Sequence, residues 1–80
     1  LSFDASNTEE LNLLLWFDGA SQEQGIKVHS SARPEVIAAC RGLCEKGLIT
    51  QADGGYLTDA GIEALSHVAV LARLLEARRP

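Results

Sequence analysis

Three apolar stripes at helical spacing run along the chain, separated by glycine-rich breaks. In the first, Leu11, Leu14, Leu15 and Phe17 repeat at intervals of three and four, with Leu13 and Trp16 widening the face. The start falls near Asn7 or Thr8. Asn7 and Glu10 have capping-box spacing, and Glu9 and Glu10 suit the positive end of the helix dipole. Asp18-Gly19 closes this helix.

The stretch from Ala20 to Ile49 holds the second stripe. Ser21 and Gln24 repeat the capping-box spacing, so a short helix over 22–29 is favoured. Gly25 weakens it by ~1 kcal/mol relative to Ala. Ile26 and Val28 are β-branched, so a short strand over Ile26–His29 competes. Ser30-Ser31 turns the chain into Arg33-Pro34, and proline suits a first helical turn, where its missing N–H costs little. The helix from there to about Lys46 turns Val36, Ala39, Cys40, Leu43 and Cys44 inward, with Ile37 beside them. Arg33, Glu35, Ala38, Arg41 and Glu45 face outward, and Gly47 supplies the left-handed stop.

A β-hairpin follows. Leu48–Gln51 is its first strand, Asp53-Gly54-Gly55 its turn, and Tyr56-Leu57 begins the return. Thr58 reads as the N-cap of a long helix over about 59–78. The third stripe is unlike the others. From Val68 to Leu75 the helix is apolar nearly all round, broken only by Arg73. Such a helix must be covered on every side. A chain this short, which buries roughly 60–65% of its unfolded surface, has little mass to do so. A homodimer packed through Val68, Leu71, Leu74 and Leu75 is therefore expected.

Composition changes this picture little: 46% hydrophobic and 22% charged residues describe one globular domain. The two cysteines are no disulfide framework; Cys40 and Cys44, four apart on one helix, read as small apolar residues on a buried face. That use suits a reducing cytosol, so the expected location is cytoplasmic. No apolar run approaches the ~18–20 residues of a membrane span.

Charge changes it more. The net charge of −4 divides into −5 over residues 1–26, +2 over 27–46 and −1 over 47–80. The middle segment is the basic one, through Lys27, Arg33, Arg41 and Lys46 against Glu35 and Glu45. The hairpin tip carries Asp53, and no Lys or Arg lies between Leu48 and Gly61.

The segments "EKGLI" and "YLTDAG", in this order and spacing after Ser21, resemble a winged helix-turn-helix domain over about residues 8–61, notably in MarR-like regulators. The fold expected is thus mainly α with a small β-hairpin and a long C-terminal helix. More narrowly, "EQGIKVH", "PEVIAA", "KGLITQ" and "DGGYLTDAG" are similar to a small family of uncharacterised gammaproteobacterial proteins. Some of these are labelled "DNA-binding protein inhibitor Id-2-related". That inhibitor is a helix-loop-helix protein, a fold with no place for a glycine-centred hairpin.

The winged-helix resemblance implies that helix 33–46 would enter the major groove, with Arg33 and Arg41 reading bases and Lys27, Ser31 and Lys46 touching phosphates. A dimer would make about six to eight phosphate contacts at best, opposed by its own negative charge. A pI near 4.9 is low for a nucleic-acid binder. The charges favour a non-enzymatic interaction or regulatory module that binds an unidentified protein partner; a DNA-binding transcriptional regulator is the alternative. His29 and His67 lie far apart with no carboxylate pair, and Gly54-Gly55 lacks a phosphate-loop pattern, so no catalytic, metal or cofactor site is expected.

Overall fold

The computed structural model describes residues 1–19 and 21–76, apart from the Ser21 side chain. The elements in chain order are α1 (Ala5–Leu15), α2 (Ser21–Gln24), β1 (Ile26–Lys27), α3 (Pro34–Glu45), β2 (Ile49–Gln51), β3 (Gly54–Leu57) and α4 (Asp59–Glu76). The fold is mainly helical, with a three-stranded antiparallel sheet in the order β1-β3-β2 and a C-terminal helix. The expected reach of the last helix to residue 78, and the side-chain cap expected of Ser21, lie outside the described residues.

Helix α1 begins earlier than Asn7 or Thr8. Asp4 is its N-cap, with Oδ1 accepting from the Asn7 N–H at 2.8 Å. Asn7 does meet Glu10, but through its own side chain: Nδ2 donates to Oε1 at 3.2 Å within the helix. The helix ends at Leu15, and a turn carries the chain to Gly19.

The short helix and the short strand weighed for 22–29 both form, in succession. Gly25 lies between them at φ 74°, a left-handed conformation that stops a helix. Ile26 and Lys27 then pair with Gly55 and Gly54, so the expected two-stranded hairpin gains a third strand. The approach is close: a Cβ at Gly54 would collide with the Ile26 carbonyl oxygen. The hairpin turn sits at Ala52-Asp53, one step before the expected position, because Gly54 and Gly55 already belong to β3. A register shift between Ile49 and Gln51 accompanies this, and Thr50 Oγ1 accepts from the Tyr56 N–H at 3.0 Å.

The inward stripe of α3 is as expected for Val36, Ala39, Cys40 and Leu43, which are buried; Ile37 and Cys44 are half-buried. They join Leu13, Leu14 and Phe17 of α1, Val28, Ile49, Leu57, Leu65 and Ala69 in one core. Thr58 ties α4 to the end of α3. Its hydroxyl accepts from the Gly61 N–H at 3.1 Å and donates to the Gly47 carbonyl at 2.6 Å. Gly61 lets α4 start hard against Leu48, whose carbonyl oxygen would collide with any Cβ there.

Candidate functional site

The five expected nucleic-acid contacts do not converge on one free patch. Lys27 pairs with Asp53 of the hairpin turn at 3.3 Å. Arg33 meets Glu9 of α1 at 3.5 Å. Lys46 Nζ donates to both carboxylate oxygens of Glu10, each at 2.7 Å. Ser31 is exposed in the turn before α3. Arg41 is exposed and, among the described residues, has no carboxylate partner. The acid-rich first segment and the hairpin tip thus supply the counter-charges for the basic middle segment.

These pairs differ in weight. Those at Lys27 and Arg33 are open to water, where such contacts are worth ~0–1 kcal/mol. Glu10 is only 7% exposed. Its carboxylate lies over Gly42, where a Cβ would collide with Oε2. A charge so buried needs its partner, which makes Lys46 a structural clamp between α1 and the end of α3. Sequence reasoning assigned Glu10 to a helix cap because its true partner lies 36 residues away.

Arg41 opens onto a cleft of about 460 Å³ between α3, the segment 27–30 and the hairpin turn. Ile37 and Cys40 line it with Arg41, and Lys27 and Asp53 face it as a pair. Burial pushes the Cys40 thiol above its ordinary value, with the Asp53 and Cys44 charges adding to the effect. The two thiols are free. Among the described residues, no three His, Cys, Asp or Glu side chains are placed to hold a metal ion.

The opposite side of α1 is different. Between α1 and the second half of α4 runs a groove of about 350 Å³. Thr8, Leu11 and Leu15 form one wall; Val68, Leu71 and Leu75 form the other, and Phe3, Asn12, His67 and Ala72 complete it. None of these side chains is acidic, and none is basic apart from His67. Of the four residues expected at a dimer contact, Val68 is half-buried against the core, while Leu71, Leu74 and Leu75 are 51%, 60% and 66% exposed. Val70 is exposed to a similar degree, and so is Ile62 nearer the start of α4. The core claims only Gly61, Leu65 and Ala69 of this helix fully.

The model of a family of unknown function, DUF5669, matches residues 1–76. The chain belongs to DUF5669. No curated protein and no solved structure matches it. The matched span of this DUF5669 chain takes in both the paired basic face and the apolar groove. No described helix is long and apolar enough to cross a membrane.

Proposed function

We propose that this DUF5669 protein is a non-enzymatic interaction or regulatory module. Its contact surface is the groove between α1 and α4 together with the uncovered second half of α4. The observation that carries this reading is the run Leu71, Leu74 and Leu75, each more than half exposed beside a groove walled by Leu11, Leu15 and Val68. The largest contiguous apolar patch on a monomer, typically about 300–600 Å², is often a functional contact surface.

The scaffold belongs to the same proposal. A helix followed by a hairpin, with a further strand on the hairpin, matches the general plan of a winged helix. The helix-turn-helix part departs from it. Residues 25–33, strand β1 among them, lie between α2 and α3, where a helix-turn-helix has a turn of about three or four residues. The module would thus keep the helix and wing as a frame, acting in the cytoplasm.

A photo-cross-linking residue at position 74 of the whole protein, in its native cell, tests the reading. It predicts a light-dependent protein adduct that disappears with Leu71→Asp. The absence of any adduct would overturn it. Duplex DNA is the second reading, favoured by Arg41, which is exposed on α3 without a carboxylate partner. Anisotropy with a random duplex at ~50 mM salt would then show binding that Arg41→Glu abolishes. No binding at ~50 µM protein removes it.

A further inference from the structure

We infer that the occupant of the α1/α4 groove is a second copy of this chain, packed through the second half of α4 about Leu71. The inference rests on the reading of this groove as a contact surface and names its partner.

The first support is the spacing of the walls. Val68, Leu71 and Leu75 follow one another at three and four residues, and so do Thr8, Leu11 and Leu15. Rows of this spacing accept the side-chain ridge of another helix at a shallow crossing angle. The chain also carries such a ridge, because Val70, Leu71, Leu74 and Leu75 project from the same stretch of α4. Ridge and groove on one element are what a two-fold interface requires, since each copy must offer both halves of the contact.

The second support is area. Phe3, Val70, Leu71, Leu74 and Leu75 are each about half exposed or more. At roughly 80–100 Å² each, on the scale of the 150–250 Å² of a whole aromatic residue, they offer about 400 Å² per protomer. A standard interface covers about 800 Å² per partner, a little over half of it apolar. The patch therefore supplies about the apolar share of such an interface, and its polar rim must supply the rest.

The third support is charge. Arg73 and Glu76 lie on the face of α4 away from Leu71 and Leu75, and Arg73 reaches Asp18 of its own chain at 3.8 Å. His67 is the one ionisable side chain in the groove lining. The groove lining is otherwise uncharged, so it selects a neutral ridge over a basic or acidic segment.

Sedimentation velocity of this 80-residue chain tests this. The expected result is an 8.6 kDa species at low concentration that doubles in mass with a Kd of about 10–50 µM. Leu71→Asp should raise the Kd by ~30-fold or more while leaving the circular dichroism melt unchanged. A monomer at ~300 µM, or a dimer indifferent to Leu71→Asp, overturns the inference. An adduct with another protein at position 74 beside a strictly monomeric chain would sink self-pairing alone. No adduct of any kind would sink the contact surface itself.

Discussion

Helix α1 packs against α3 on one side and α4 on the other, and the two seams are finished differently. Against α3 the seam is closed. Glu9 and Glu10 reach the two ends of α3, Gly42 makes room for the Glu10 carboxylate, and Lys46 covers it. Against the second half of α4 the seam is open, with leucines exposed along a groove. Charge sits mainly where the fold is already complete. Uncovered apolar surface, the general signature of association, sits where it is not. On that other side one exposed pair, Arg73 with Asp18 at 3.8 Å, links α4 to the turn after α1. Of the four basic residues that suggest a DNA-binding face in sequence, Arg33 and Lys46 belong to the closed side.

The largest expected contrast is in core leucines. Leu43→Ala, behind the closed seam, should cost about 3 kcal/mol in urea unfolding. Leu75→Ala, at the open groove, should stay within ~0.5 kcal/mol when measured at a concentration where the chain is monomeric. Equal losses would mean that the groove is part of the monomer's core.

The next contrast concerns lysines. Lys46→Met leaves the buried Glu10 carboxylate with Asn7 alone and should cost ~1–2 kcal/mol, reduced because the ammonium end is half in water. Lys27→Met removes an exposed pair and should cost no more than ~0.5 kcal/mol. Gly42→Ala sharpens this further. A helix interior gains ~1 kcal/mol from the change, but here the new methyl displaces Glu10. The substitution should fail to stabilise the natural chain, yet stabilise a Glu10→Ala background by ~1 kcal/mol. Equal effects in the two backgrounds would show that Glu10 does not occupy that space.

The smallest effect lies with the thiols. Because burial raises the Cys40 thiol in the folded state, the unfolded chain loses this proton first as the solution becomes alkaline. The stability it contributes is complete below its ordinary 9.0 and is lost as pH rises from there through the folded value. Mass-mapped alkylation at mildly alkaline pH should therefore modify half-buried Cys44 before Cys40. The reverse order would place Cys40 at the surface of its cleft.

What was legible in the sequence was local. Pro34, the stripe from Val36 to Leu43, the stop at Gly47 and the cap at Thr58 each act within a few residues, and each stands where expected. What was not legible depended on partners far along the chain. Strand β1 is two residues long and is defined by Gly54 and Gly55, not by a pattern of its own. Glu10 matched a capping motif so well that its pairing with Lys46 left no local signal. The same distance hid the neutralisation of Lys27 and Arg33, whose partners lie on the hairpin turn and on α1. The exposed leucines of α4 were legible because an all-round apolar helix announces a need for cover in one dimension.

The central claim is that association runs through the α1/α4 groove and not through α3. Backbone and methyl NMR shifts followed as the protein is concentrated test it most directly. The expected shifts are at Leu11, Leu15, Val68, Leu71, Leu74 and Leu75, with Leu43 and the Glu10–Lys46 clamp unmoved. Shifts confined to Arg33–Lys46, or none at any concentration, would contradict it.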